Sequence, residues 1–275
     1  MATKTKLLVV TDLDATLLDH SYSWAEAKPA LDRLQSAGFP LVLNSSKTVA
    51  EMKQLAEDLG LDSPIVAENG GLLAIPADSR LLESDECLNR SDDYCIEING
   101  LSRDVILSVA HGLRDQEGYD FAGFADWTVA DVADRTGLDL SAARRSKSRF
   151  ATEPIVWSDT PFKLSSFKEV LAGENIRILK GGRFLHLMGP ADKADGAAAV
   201  LKLYQKAQPD VNWVVVTLGD SANDQAMLEA ADIAVVIPHQ DGPHLDPKAP
   251  RVVHAPFPAS KGWNEAILSI LDEYC

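Results

Sequence analysis

Leu7-Leu8-Val9-Val10 is an uninterrupted apolar run, and Asp12-Leu13-Asp14-Ala15-Thr16-Leu17 follows it almost at once. A run this short, apolar and rich in β-branched residues reads as a strand buried on both faces, as strands of a parallel sheet are. Parallel strands need crossover connections, so the run commits the chain to an α/β fold. The two acids fall where the strand should end, and in open α/β sheets ligands gather outside the carboxyl ends of the strands. If the backbone stays extended, Asp12 and Asp14 point the same way, about 6–7 Å apart. Two acids at the edge of a core repel each other. A bound cation relieves the repulsion, and Mg²⁺ takes oxygen ligands of this kind. The competing reading is a polar turn that caps the next helix.

The rest of the chain repeats the rhythm. Residues 25–37 read as a helix stopped by Gly38, with Pro29 near its first turn, where proline is tolerated. Pro40-Leu41-Val42-Leu43 is a second strand, running into Asn44-Ser45-Ser46-Lys47, and Thr48 is placed to cap a helix reaching about Leu59. Pro64-Ile65-Val66-Ala67 is a third strand, ending in Glu68-Asn69-Gly70-Gly71. Alternating strands and helices give a Rossmann-like parallel sheet with right-handed crossovers. From about Leu82 to Met188 the pattern is less regular. Helices are expected at 101–117, after Thr128, over the basic stretch 141–150 and at 161–171. A hairpin is expected at 176–179 and 184–188, around Lys180-Gly181-Gly182-Arg183. The α/β rhythm resumes at 192–207, with a strand at 213–216 ending in Gly219-Asp220, a helix at 223–231, a strand at 233–236 and a last helix at 261–274. The organisation read from this is a core at 1–83 and 189–275, interrupted by an inserted α+β unit at 84–188.

The 26 basic residues stand against 41 acidic ones, a formal charge of −15. Such a surface repels phosphate backbones, which argues against nucleic acid as a partner. A small phosphorylated substrate would need local positive charge or a metal to overcome the field. Cys87, Cys95 and Cys275 lack metal-ligand spacing, and their low, odd number fits reduced thiols. No apolar run approaches a membrane span, and residues 1–6 are too short and polar for a signal peptide. The expectation is a soluble, cytoplasmic protein.

Three strand ends carry chemistry: Asp12 and Asp14; Asn44-Ser45-Ser46-Lys47, whose hydroxyls and amides open a helix and suit an anion; and Gly219-Asp220-Ser221-Ala222-Asn223-Asp224. Lys193, at the start of a helix, offers positive charge. These motifs resemble those of the haloacid dehalogenase-like hydrolase superfamily: an acid pair after the first strand, Ser or Thr after the second, a later Lys, and GDxxND. Ala15 stands where the commonest form of the first motif has glycine, which admits backbone angles that alanine resists. The resemblance implies that Asp12 is the nucleophile that forms an aspartyl phosphate, and that Asp14 acts as acid and then base. It implies Mg²⁺ held by Asp12, Asp14 (through its backbone carbonyl) and Asp220. Ser45 and Lys193, with Ser46 and Lys47 in the same loop, would bind the phosphoryl group, while Asn223 and Asp224 would orient Asp220 or Lys193. The insertion would be a class II α+β cap that closes over the substrate.

Three stretches narrow the resemblance. They are Ser45 to Glu51 with Ala67 to Gly71; Trp127 to Leu138 with Thr152 to Trp157; and Gly182 to Gly189 with Asp192-Lys193. Together they are similar to mannosyl-3-phosphoglycerate phosphatases and their relatives, which implies a small phosphorylated sugar-acid substrate and a product, mannosylglycerate, that is a compatible solute. Arg183 is a candidate fork for a carboxylate or phosphate, and His186 or Glu153 for hydroxyls. A glucosyl ester, another small sugar phosphate, a phosphomutase reaction and a noncatalytic binding module remain as alternatives.

Overall fold

The computed structural model describes residues 4–83, 87 and 89–274. β1 (Lys4–Thr11) carries Leu7, Leu8, Val9 and Val10 with no exposed surface. Successive strand residues point to opposite faces, and the run divides accordingly. Leu7 and Val9 join one apolar cluster, Leu8 and Val10 another. A 3-10 turn at Ala25–Ala27 precedes α1 (Lys28–Ala37), which begins with Pro29 in its first turn and ends at Gly38 with φ +68°. β2 (Leu41–Asn44), α2 (Val49–Asp58) and β3 (Ile65–Ala67) follow. Thr48 caps α2 as its sequence position implies: its hydroxyl accepts from the Glu51 amide while the Glu51 carboxylate accepts from the Thr48 amide.

After β3 the chain turns back. Glu68, Asn69 and Gly70 take φ of +53°, +57° and +87°. They send β4 (Leu72–Pro76) antiparallel along β3. β5 (Arg90–Ser91) and β6 (Tyr94–Ile98) make a hairpin, and β6 pairs with the far side of β4. The sequence reading begins the inserted unit at residue 84, but residues 90–98 hydrogen-bond into the large sheet. The reason is edge protection: without β6 the buried residues Leu72 to Ile75 would lie on an unpaired strand edge. The hairpin also corrects the expectation of reduced thiols, because it brings Cys87 and Cys95 to a Cα separation of 5.3 Å, where they form a disulfide. Cys275 lies outside the described residues.

The unit inserted beyond β6 comprises α3 (Arg103–Glu117), β7 (Phe121–Gly123), α4 (Val129–Thr136), α5 (Leu140–Lys147), β8 (Thr152–Trp157), α6 (Pro161–Gly173), β9 (Arg177–Lys180) and β10 (Leu185–Met188). Its four strands form an antiparallel sheet in the order β7-β8-β10-β9, and β9 and β10 are the two arms of the expected hairpin. Tyr119, Phe121, Trp157 and Phe167 pack beneath it with ring centroids 5.1 to 6.1 Å apart. Such contacts between aromatic rings add to the burial that gives this unit its own core.

The chain then returns through α7 (Lys193–Ala207), β11 (Val211–Gly219), α8 (Gln225–Glu229), β12 (Ile233–Val236), β13 (Arg251–His254) and α9 (Ala259–Tyr274). The large sheet runs β13-β12-β11-β1-β2-β3-β4-β6-β5, parallel from β13 to β3. Residues of α1, α2 and α9 cover one face, and residues of α7 and α8 pack on the other. The side chain of Trp263 in α9, fully buried, donates to the Thr11 hydroxyl at 3.0 Å and ties the last helix to the first strand. The winding runs one way from β1 through β2 to β3 and the other way from β11 through β12 to β13. Ligands bind α/β sheets where the winding reverses, which here is the seam between β1 and β11.

Candidate active site at the carboxyl ends of the parallel strands

Asp12 lies one residue beyond β1, and its amide still bonds to the Leu218 carbonyl of β11 at 2.9 Å. Asp220 lies one residue beyond β11. The two acids therefore flank the seam. Lys193 reaches them from α7, whose first turn is fixed by a capping box: the Asp192 carboxylate accepts from the amides of Ala194 and Asp195. The Lys193 carbonyl accepts from the Asn44 side chain at 2.8 Å, and Gly70 lies hard against Asp192. Held this way, Lys193 is only 1% exposed, and its Nζ donates at 2.6 Å to both Asp12 Oδ1 and Asp224 Oδ1.

Asp224 also has its second oxygen engaged, by the amides of Asp220 and Ser221 at 3.1 Å each. Asp220 accepts from the Thr16 hydroxyl at 3.0 Å, and its other oxygen lies 2.9 Å from His239 Nε2. One oxygen from each of Asp12, Asp220 and Asp224 falls within 4.8 Å of the others. The third side chain of the acidic group is thus Asp224. The Asp14 carboxylate faces away from it, to Lys47 Nζ at 2.8 Å, and is about half exposed. The chain does not stay extended after β1: it turns at Leu13, whose carbonyl accepts from the amides of Thr16 and Leu18 at 3.2 and 2.8 Å.

Ser45 is buried at the end of β2 and its hydroxyl accepts from the Lys47 amide at 3.3 Å. The Ser46 carbonyl faces the guanidinium of Arg149 at 3.5 Å. Asn223 donates to the Asn69 side chain at 3.1 Å and accepts from the Ser221 hydroxyl at 2.7 Å. Arg183 is not brought to this group by any of its bonds. It is exposed and donates to the Arg135 and Thr136 carbonyls at 3.2 and 2.6 Å, closing the C-terminal end of α4. Residues without a role in the sequence reading also enter. Thr16 belongs to the first motif and His239 to the Pro/His/Asp-rich loop after β12. Glu68 is fully buried, and its carboxylate accepts from the Phe150 and Ala151 amides and the Thr152 hydroxyl, binding the inserted unit to the core. The sequence signal at Glu68 was the turn composition of Glu68-Asn69-Gly70-Gly71, which marks a strand end and not an anchoring carboxylate.

The electrostatics follow from three buried carboxylates sharing one ammonium. Burial raises the pKa of Asp12 to about 7; Lys193 opposes this, while Asp224 and Asp220 reinforce it. Burial works against the charge on Lys193 too, yet Asp12 and Asp224 outweigh it and raise its pKa. The ammonium is therefore permanent, and the unrelieved strain is surplus negative charge on the carboxylates. Asp220 is raised by burial and by Asp224. A buried, oxygen-only group with surplus negative charge fits a hard divalent cation. At Lys47, burial is outweighed by Asp14, and its pKa rises.

A buried carboxylate held by a fixed ammonium, beside an acidic group that could hold a cation, at the reversal point of a doubly wound sheet, is an arrangement suited to phosphoryl transfer. The comparisons agree. Residues 9–99 match the haloacid dehalogenase-like hydrolase family. The chain is 35% identical over 269 residues to the glucosyl-3-phosphoglycerate/mannosyl-3-phosphoglycerate phosphatase of Persephonella marina, covering 97% of this chain and 98% of that one. It is 33% identical to the phosphatase of the same name from Methanococcoides burtonii, covering 97% of each. A haloacid dehalogenase-like hydrolase from Bacteroides thetaiotaomicron shares the fold with a TM-score of 0.65 at 19% identity, over 97% of this chain and all of that one. The chain belongs to the haloacid dehalogenase-like hydrolases and is a phosphoric monoester hydrolase.

Proposed function

We propose that this enzyme hydrolyses mannosyl-3-phosphoglycerate to mannosylglycerate and phosphate, in the cytoplasmic synthesis of a compatible solute. The names of the two relatives support the substrate, and the observation that carries the chemistry is the buried Lys193 bonded to both Asp12 and Asp224 at 2.6 Å. That contact orients one aspartate oxygen and leaves the other for attack on phosphorus.

Asp12 is the nucleophile. Its free oxygen bonds to phosphorus as the phosphorus–alkoxide bond breaks, leaving an aspartyl phosphate. Asp14 gives a proton to the departing alkoxide, then takes one from the water that hydrolyses the intermediate. Its pairing with Lys47 at 2.8 Å keeps it at the mouth of the site, where the leaving group departs. Ser45, the amides of Ser46 and Lys47, and the ammonium groups of Lys47 and Lys193 hold the phosphoryl oxygens and offset their charge. Asp12, Asp220 and the Asp14 carbonyl would hold Mg²⁺, with Asp224 orienting Lys193 and the Asp220 backbone, while Asn223, expected to share that task, bonds instead to Asn69 and Ser221. Bound there, Mg²⁺ supplies neutralisation of the phosphoryl charge. The inserted unit covers the site and sets substrate choice.

A glucosyl ester is the second reading, favoured by the names of both curated relatives, which cite the two sugars. The test is phosphate release from each glycosyl ester. Turnover of one or both is expected, abolished by Asp12→Asn and by a chelator and restored by added Mg²⁺. Turnover of an aryl phosphate but of neither glycosyl ester would refute the substrate assignment and leave the chemistry standing.

A further inference from the structure

The inserted unit carries positive charge that none of these steps uses. Residues 141–150 are basic in the sequence, and the stretch ends beside the phosphate-binding loop. There Arg149 Nη1 donates to the Thr152 hydroxyl at 2.8 Å and faces the Ser46 carbonyl at 3.5 Å, one residue from Ser45 and Lys47. The groups around it already have partners. Arg103 pairs with the buried Glu153 at 2.6 Å, and the other Glu153 oxygen accepts from the Ala125 amide at 2.7 Å. The Glu68 carboxylate is filled by two amides and a hydroxyl. The Lys147 ammonium donates to the Phe124 and Trp127 carbonyls.

Arg149 is left with no carboxylate within ion-pair distance among the described residues, and its Nε is buried with no hydrogen-bond partner. His186 on β10, within electrostatic reach of Arg149, likewise has a buried Nδ1 with no partner. Burial and the Arg149 charge lower its pKa to about 3, so the ring stays neutral. Orphaned buried nitrogens are costly and uncommon in native proteins. One of them, in a guanidinium that lies over the Phe124 ring but has no carboxylate partner among the described residues, and the other, within its electrostatic reach, describe a place built for an anionic oxygen group that arrives with the substrate.

We propose that Arg149, with His186 beside it, binds the carboxylate of the substrate, so that the inserted unit selects phosphate esters that also carry a carboxylate. The inference rests on the phosphatase reading above and names the group that the inserted unit recognises. The phosphate is committed to the Asp12 side, where Lys193 and Ser45 meet it. Arg149 lies beside the phosphate loop, 3.5 Å from the Ser46 carbonyl, which suits a carboxylate a few bonds from the ester oxygen. Arg183, the arginine that the sequence offers for this task, is occupied at the end of α4.

The experiment compares kcat/KM for esters with a carboxylate (the two glycosyl-3-phosphoglycerates and 3-phosphoglycerate) and without one (glycerol 3-phosphate and p-nitrophenyl phosphate). The wild-type enzyme is expected to prefer 3-phosphoglycerate to glycerol 3-phosphate. Arg149→Ala is expected to lower kcat/KM for the carboxylate esters about 10- to 100-fold, mainly through KM, and to change it less than about threefold for the others. Arg149→Lys should restore part of the preference and Arg183→Ala should leave it intact, with thermal unfolding confirming that each variant folds. Equal losses on both classes, no loss, or a wild-type enzyme indifferent to the carboxylate would each overturn the proposal. Arg149-dependent preference for 3-phosphoglycerate without turnover of either glycosyl ester would refute the sugar assignment and sustain this one.

Discussion

Gly70→Ala tests how the fold delivers Lys193. The added Cβ would stand 1.7 Å from the Asp192 carbonyl oxygen, 2.3 Å from its carbon and 2.9 Å from the Lys193 amide, against the 3.4 Å at which ordinary contacts begin. All three atoms are backbone, so no side-chain rotation relieves the overlap. Gly70 also sits at φ +87°, a conformation that costs an L-residue roughly 1–2 kcal/mol. Strain and overlap together should destabilise the protein by about 3 kcal/mol or more, which for a chain of this size is a fall in Tm of roughly 6–12 °C. The segment that must move is the cap of α7, so Lys193 moves with it. Its contacts to Asp12 and Asp224 are 2.6 Å, and a shift of about 1 Å breaks them. Misplacement on that scale costs on the order of 100-fold in rate. The assays are thermal unfolding and kcat/KM for phosphate release. Gly112→Ala is the control: nothing lies within 4 Å of its added Cβ in the middle of α3, and it should stabilise by about 1 kcal/mol with activity unchanged. A Gly70→Ala enzyme within threefold of wild-type activity and within about 2 °C of its Tm would refute the claim that this contact positions the lysine.

Ala15→Gly should do the opposite. Ala15 holds φ +60°, and glycine there removes strain, raising stability by about 1 kcal/mol and Tm by roughly 2–4 °C in calorimetry. His186 makes stability depend on pH. Its folded pKa is near 3, below the ordinary 6.5, so the unfolded chain takes up the proton first as pH falls. Stability is complete above the unfolded pKa and drains away toward the folded one, by about 2 kcal/mol between pH 7 and pH 5. His186→Asn should remove that slope, and urea midpoints at the two pH values measure it. Lys193→Met leaves Asp12 and Asp224 without their counter-charge, and should cost about 3–5 kcal/mol in urea unfolding together with nearly all phosphate release. Lys193→Arg should not restore activity, since a planar guanidinium does not reproduce one nitrogen shared at 2.6 Å by two carboxylates.

Local sequence alone determined the strands that are buried on both sides and the points where they stop. Leu7 to Val10 suit a strand buried on both faces, and Asp12, Ser45 and Asp220 fall at strand ends because the apolar runs end there. The helix starts at Thr48, Thr128 and Asp192 were equally local, since each cap and its partner lie within three residues. What tertiary structure decided was which distant groups meet. β4 and β6 join the large sheet because an antiparallel return leaves an edge to cover, and the disulfide follows from that hairpin. Asp14 pairs with Lys47 because the chain turns at Leu13 instead of staying extended. Arg149 and Arg183 look alike in the chain, but packing ties one to the end of α4 and leaves the other beside Ser46. Periodicity and capping act over a few residues and can be read along the chain. The partner of a charged side chain depends on how whole elements pack.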